Sequence, residues 1–195
     1  MGQPKPIPWT YMVTYIQTFQ ALLRGHTVEW DGAWMRMLHT SDWHLGRQFH
    51  NVSLLEDQRH VLEQLVGIVR ERAVEVVLVA GDIYDRSVPP AEAVQLLDEV
   101  LHRLGAECGV PLILIAGNHD GAERLGFGSR QLARAGVHIR GPLEPEPEPV
   151  ILQDAHGPVA FYPLPYAEPA TVRSELGLEV QGHEPVGEHL DEIEG

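Results

Sequence analysis

The chain has 195 residues, 44% of them hydrophobic, and this length is sufficient for one main domain with a substantial core. It contains no apolar run long enough to span a bilayer, and its first residues lack the pattern of a secretory signal. The one cysteine, Cys108, excludes an internal disulfide and fits a reducing compartment, which we expect to be the cytoplasm.

The net charge of −14 argues against a general nucleic-acid coat protein, but the charge is unevenly distributed. Residues 1–141 carry 16 acidic and 13 basic side chains, whereas residues 142–195 carry 12 acidic side chains and one basic. We expect three segments. Residues 1–34 would be a non-native or poorly ordered extension, residues 35–166 an α/β domain, and residues 167–195 a poorly packed acidic segment.

From residue 35 the pattern becomes regular, and three short apolar runs predict buried strands. They cover residues 35–40, 75–80 and 111–116. Apolar residues at helical spacing between them predict helices over 54–72 and 90–104. Strands that alternate with helices along the chain indicate parallel pairing between those strands. For the sheet as a whole we expect a core of mixed strand direction with helices on both faces.

The ends of these elements carry further signals. Ser53 and Glu56 have the spacing of a capping box at the start of the first helix. A third helix is predicted over 129–135 and a short strand over 137–139. Beyond them, two further strands are predicted to form a hairpin around a turn at Gly157-Pro158; they cover residues 150–153 and 159–162.

A polar motif directly follows each of the three buried strands. The motifs are Ser41-Asp42-Trp43-His44, Gly81-Asp82 and Gly117-Asn118-His119-Asp120. Each has a simpler explanation by itself, since Asp-x-His is common and Gly-Asp is often a turn. Their order and spacing are more informative, because each interval suits one strand–helix–strand unit and brings the motifs to one edge of the sheet.

Carboxylate, imidazole and amide ligands at one edge can hold two divalent ions. Asp42 and His44 are two residues apart on an extended segment and can point to one side, and Asp82 is the natural bridge. Asn118 offers a neutral oxygen. His119 is adjacent to Asn118 and is not expected to face the same ion, so we predict an acid or transition-state role for it, with Asp120 as a candidate for orienting it.

At these motifs the chain resembles the calcineurin-like metallophosphoesterases, and among them the SbcD family of bacterial nuclease subunits. The resemblance covers about residues 35–166 and is carried by residues 37–46, 79–90, 116–120 and 162–166. It implies a sandwich of sheets flanked by helices. It also implies Asp42 and His44 on one metal, Asp82 bridging, Asn118 on the second metal, and His119 assisting departure of the 3′ oxygen.

The implied activity is Mn²⁺-dependent exonuclease and endonuclease cleavage of DNA in repair and recombination. The implied partners are DNA, an SbcC-type ATPase subunit and a second copy of the nuclease subunit. That family completes its site with a downstream Gly-His and a Gly-His-x-His, and this chain has neither after a buried strand. We do not expect His183 or His189 to be ligands, and we expect a C-terminally truncated, incomplete domain whose own activity is open.

Two alternatives remain. The chain could be another metallophosphoesterase, either a phosphatase or a cyclic-nucleotide phosphodiesterase, or it could be a non-catalytic remnant. Beside the motifs, Arg47 and Arg86 could contact phosphate, and Asp85 is expected to hold its loop rather than bind an ion.

Overall fold

The computed structural model describes residues 34–169 together with residues 172 and 173. The predicted extension, apart from Trp34, and most of the acidic segment lie outside these residues. The strands in this part are β1 (Met37–Thr40), β2 (Gln48–Phe49), β3 (Val52–Ser53), β4 (Val76–Ala80), β5 (Leu112–Ile115), β6 (Val137–Arg140), β7 (Val150–Asp154) and β8 (Gly157–Phe161). The helices are α1 (Leu55–Glu71), α2 (Ala91–Leu101), α3 (Ala122–Leu125) and α4 (Ser129–Ala133), and a π-helical segment (His102–Glu107) continues α2.

Four strands form a sheet in the order β1-β4-β5-β6, and every neighbouring pair is parallel. This confirms the strand–helix–strand units, although the sheet in the described residues is parallel rather than mixed. Two antiparallel hairpins, β2–β3 and β7–β8, stand beside it. Parallel strands need helical crossovers, and the helices α1 and α2 supply them between β1 and β4 and between β4 and β5.

Successive side chains along each strand point to opposite faces of the sheet, so the core has one part on each face. On one face, Val77, Val79 and Leu114 pack with the buried side of α1 and α2. Full burial of each such side chain contributes about 1.5–3 kcal/mol, which is why the apolar stripes of these helices face the sheet. On the other face, Val76 and Ile113 pack with Val150 of the β7–β8 hairpin. In the described residues a hairpin therefore covers the face where helices were expected.

The predicted capping box at the start of α1 is wrong. Ser53 pairs with Gln48 as the last residue of β3, so it lies one position too early to cap the helix. Its hydroxyl accepts a hydrogen bond from the Leu55 N–H at 3.3 Å, and Leu54 occupies the N-cap without a side-chain bond.

The predicted turn at Gly157-Pro158 is also displaced. Asp154 pairs with Gly157, so the turn is formed by Ala155 and His156, and Pro158 belongs to β8. The Asp154 carboxylate accepts the His156 N–H at 2.8 Å and the Gly157 N–H at 3.1 Å, an Asx-type closure that outweighs the Gly-Pro signal.

Among the described residues, no helix combines the length and the apolar character needed to cross a membrane.

Candidate metal centre

The loops after β1 and β4 remain paired beyond the ends of the strands. The Asp42 N–H donates to the Gly81 carbonyl oxygen at 3.1 Å, and the His44 N–H donates to the Asp82 carbonyl oxygen at 2.9 Å. Leu45 continues the ladder by donating to Ile83 at 2.9 Å. This extension of the parallel pairing places the first motif against the second.

The loop after β5 joins them through a close approach of two glycines. A Cβ on Gly81 would lie 3.0 Å from the Gly117 Cα, and a Cβ on Gly117 would lie 2.1 Å from Asp82 Oδ1. The His119 N–H then donates to the same Asp82 oxygen at 3.0 Å. The three motifs therefore meet at the carboxyl edge of the sheet, as their spacing predicted.

His44 lies at the middle of the resulting cluster. Its Nε2 is 3.7 Å from Asp42 Oδ1 and 3.9 Å from Asp82 Oδ2. One ligand atom from each of His44, Asp82 and His119 falls within 4.8 Å of the others. The side chains of His44 and Asp82 are 14% and 13% exposed, whereas that of Asp42 is 63% exposed. The site therefore opens to solvent on the Asp42 side.

These distances fit a divalent ion. Two atoms that each bind one ion at about 2.1 Å lie at most about 4.2 Å apart, and both distances from His44 Nε2 meet this limit. Mixed nitrogen and oxygen ligands suit first-row transition ions better than calcium. Asn118 lines a small cavity of about 190 Å³ together with Asp82 and Gly117, so the two predicted ligands Asn118 and Asp82 border the same cavity.

The predicted ligands also have unusual backbone conformations. Asp42, His44 and Asp82 have φ angles of 55°, 44° and 49°, in the left-handed region that side chains other than glycine rarely adopt. Each such residue costs about 1–3 kcal/mol and persists only where its surroundings enforce it, and such residues cluster at functional sites. The strain is consistent with a site selected for ligand placement rather than for stability.

Asp120 has a different role from the one predicted. Its carboxylate accepts hydrogen bonds from three main-chain N–H groups, those of Ile83, Tyr84 and Gly117, at 2.8–3.1 Å. The ring of His119 instead directs Nδ1 to the main-chain oxygen of Asp85 at 3.0 Å. Asp120 thus joins the second loop to the third, while His119 is oriented by another residue.

Tyr84 is excluded as a base in this site. Burial, with the nearby carboxylates of Asp120 and Asp98, raises the pKa of Tyr84 to about 12. The phenol consequently keeps its proton at neutral pH.

Gln58 on α1 is a supporting residue that the sequence did not reveal. Its side-chain nitrogen donates to the carbonyl oxygens of His44 at 2.7 Å and Trp43 at 3.1 Å, and its oxygen accepts the Gly46 N–H at 3.1 Å. A single glutamine on the polar side of a helix carries no motif, so only the packing of α1 against this loop identifies it.

Trp43 anchors the same loop from inside the core. Its side chain is buried, and its Nε1 donates to the Thr40 hydroxyl at 3.0 Å. Trp43 therefore points inward while its neighbours Asp42 and His44 face the cluster.

Comparison with known sequences agrees with this geometry. The sequence model of the calcineurin-like phosphoesterases matches residues 35–146, more than half of the chain, and the chain belongs to this family, which uses divalent metals. The chain is 41% identical to the SbcD subunit of the nuclease SbcCD from Staphylococcus saprophyticus over 133 residues, which are 68% of this chain and 34% of that relative.

A second relative has the same name. The SbcD subunit of the nuclease SbcCD from Staphylococcus epidermidis is 39% identical over 140 residues, which are 72% of this chain and 36% of the relative. The chain thus matches only about a third of the length of each of these two curated relatives.

Proposed function

We propose that the chain belongs to the nuclease subunit of an SbcCD-type complex and contributes to metal-dependent hydrolysis of phosphodiester bonds in DNA. The observation that carries this proposal is the convergence of His44, Asp82 and His119 at one sheet edge, within 4.8 Å of one another. The names of the two relatives support the nuclease activity.

In this proposal Asp42 and His44 would hold one ion, Asp82 would be shared by two ions, and Asn118 would offer its amide oxygen to the second. Bound Mn²⁺ would supply charge neutralisation at the phosphate and lower the pKa of a water molecule. The mixture of imidazole, carboxylate and amide ligands supports Mn²⁺ over Ca²⁺.

His119 is proposed to donate a proton to the departing 3′ oxygen. Its Nδ1–H is engaged by a main-chain carbonyl, so the proton comes from Nε2–H of the doubly protonated ring, which is left as the neutral Nδ1–H tautomer. A positioned imidazole contributes about 10²–10⁴-fold to a rate of this kind.

The proposed partners are DNA, an SbcC-type ATPase subunit and a second copy of the nuclease subunit, acting in the cytoplasm. The name of the two relatives, which describes one subunit of the nuclease SbcCD, supports the nucleic-acid substrate and the second type of subunit. The second copy of the nuclease subunit rests on the resemblance at the motifs, and the compartment on the single cysteine.

The test compares substrates with the same protein. The chain and its Asp82→Asn variant are incubated in Mn²⁺ with linear duplex DNA, with a nitrophenyl phosphate and with a cyclic nucleotide. The proposal expects DNA cleavage that the variant loses. Turnover of the small phosphoesters alone would favour the phosphatase or phosphodiesterase alternative, and Mn²⁺ binding without any hydrolysis would favour a non-catalytic role for this chain.

A further inference from the structure

The two ring nitrogens of His44 have different surroundings. Nε2 faces the carboxylates of Asp42 and Asp82, whereas Nδ1 is buried and has no hydrogen-bond partner among the described residues. The carboxylate that faces Nδ1 is that of Asp85, with Oδ1 at 3.5 Å. That separation is beyond a normal hydrogen bond, and a buried ring nitrogen left without a partner is unfavourable.

Asp85 also faces the second imidazole of the site. His119 Nδ1 lies 3.0 Å from the main-chain oxygen of Asp85, and because a carbonyl oxygen can only accept, this contact requires the proton to be on Nδ1. The two rings are perpendicular, with their centroids 4.9 Å apart. Asp85 therefore faces both Nδ1 atoms. Its carboxylate lies opposite the His44 ring, and its main-chain oxygen lies opposite the His119 ring.

The position of Asp85 is itself enforced. Its N–H donates to the Leu45 carbonyl oxygen at 3.2 Å, which continues the ladder between the first two loops. Its carboxylate is 22% exposed and lies 3.9 Å from the Arg47 Nε, a second charged group beside it. The main chain of Asp85 is thus held in place, while its partly exposed carboxylate can still rotate. Such a rotation would shorten the distance to His44 Nδ1 by the half ångström or so that a hydrogen bond requires.

We propose that Asp85 is a positioning residue that sets the Nδ1–H tautomer of both imidazoles, through its carboxylate at His44 and its main-chain carbonyl at His119. This inference rests on the proposed metal site. With the proton on Nδ1, the lone pair of His44 Nε2 is free to face an ion, and a carboxylate behind the ring raises the basicity of the ligand.

The experiment observes the tautomers directly. The ¹⁵N-labelled chain, treated with chelator and held at an alkaline pH where the rings are neutral, is analysed by two-bond ¹H–¹⁵N correlation, with assignments from His44→Gln and His119→Gln. Both rings are expected as Nδ1–H in the unaltered chain. In Asp85→Ala, His44 should shift towards Nε2–H, whereas His119 should not change because the main-chain carbonyl remains.

Asp98→Ala is the matched control, since Asp98 is an exposed aspartate on α2. Asp85→Leu keeps a side chain of similar size without an acceptor and should shift the His44 tautomer in the same way, which covers the case in which the alanine variant does not fold. Titration with Mn²⁺ should show binding about 10–100-fold weaker in Asp85→Ala and unchanged in Asp98→Ala.

An Nδ1–H tautomer of His44 that persists in Asp85→Ala, or an Nε2–H tautomer in the unaltered chain, would overturn the inference. The tautomer measurements do not depend on hydrolysis, so failure of this inference can be distinguished from failure of the proposed function. If the unaltered chain bound no Mn²⁺, the proposed function would fail whatever the tautomers.

Discussion

Gly117 occupies a position where the site has no room for a side chain. A Cβ there would lie 2.1 Å from Asp82 Oδ1 and 2.2 Å from the Asp82 nitrogen, and neither the main chain nor the carboxylate that is predicted to bridge the ions can yield without moving the site. The small size of this residue is therefore a requirement of the predicted metal centre rather than of the core.

We predict that Gly117→Ala weakens Mn²⁺ binding at least about tenfold, because a displacement of Asp82 separates it from His44. Isothermal titration measures this. Gly67→Ala is the control, since Gly67 lies inside α1 with nothing within 4 Å of its added Cβ, and it should stabilise the fold by about 0.5–1 kcal/mol. Equal Mn²⁺ affinity in the two variants would contradict the prediction.

At the scale of elements, α1 supports the site as well as the core. Its apolar stripe packs on the sheet, and Gln58 near its start makes three hydrogen bonds to the loop that carries Asp42 and His44. The left-handed conformations in that loop need such external support, because the local backbone does not favour them.

We predict that Gln58→Ala lowers the free energy of unfolding by about 1–3 kcal/mol, since main-chain groups of the loop lose their partners. Mn²⁺ affinity should fall at the same time, because His44 is no longer held. Denaturant unfolding and metal titration measure the two effects. Gln64→Ala, which among the described residues removes a side-chain hydrogen bond with His60 on the same helix, should stay within about 0.5 kcal/mol of the parent.

The other end of α1 contains a residue that is not optimal for stability. Ala73 has a φ of 46°, and the N–H groups of Ala73 and Val74 donate to the carbonyl oxygens of Arg70 at 3.3 Å and Val69 at 3.1 Å. This is a Schellman closure, in which glycine is usual at the left-handed position.

We expect Ala73→Gly to stabilise the chain by roughly 0.5–1 kcal/mol, because relief of the left-handed strain exceeds the added entropy of the unfolded glycine. Thermal unfolding measures the change. Ala91→Gly, in the first turn of α2, is the opposite control and should destabilise. A lower unfolding temperature for Ala73→Gly would show that the strain is absent.

At the scale of the whole molecule, the parallel sheet is what assembles the centre. Three loops separated by whole helices reach one edge because β1, β4 and β5 are adjacent and parallel. The carboxylates of Asp42 and Asp82 both face His44 Nε2, and a bound cation would neutralise their negative charge. Bound ions should therefore stabilise the folded chain by mass action.

We predict that Mn²⁺ at about 100 times its dissociation constant adds about 2.7 kcal/mol, which corresponds to a rise in Tm of roughly 5–10 °C for a chain of this size. Differential scanning calorimetry with and without Mn²⁺ measures it, and chelation should reverse it. The rise should be absent in Asp82→Asn, and an equal rise in that variant would place the ions elsewhere.

Much of this architecture follows from local pattern. The apolar runs over 75–80 and 111–116 and the helical periodicity of 54–72 predicted β4, β5 and α1 to within a few residues, because burial on both sides of a sheet selects continuous apolar strands. The motifs after these strands predicted which side chains would meet. Errors in the element bounds fell at element ends, where one hydrogen bond, such as that of Asp154, decides the outcome. The packing of a hairpin on the second face of the sheet was also missed, because no local pattern in the sequence says which element covers that face.

The sequence by itself therefore determined the α/β class, the shared edge and the convergence of Asp42, His44 and Asp82, because period and spacing are local properties that a parallel sheet converts into proximity. Only the tertiary structure decided how the site is held. The contacts of Gln58, Asp85 and Asp120 join segments that are distant in the chain, and the direction in which each polar side chain turns depends on which unpaired main-chain or ring group lies opposite it.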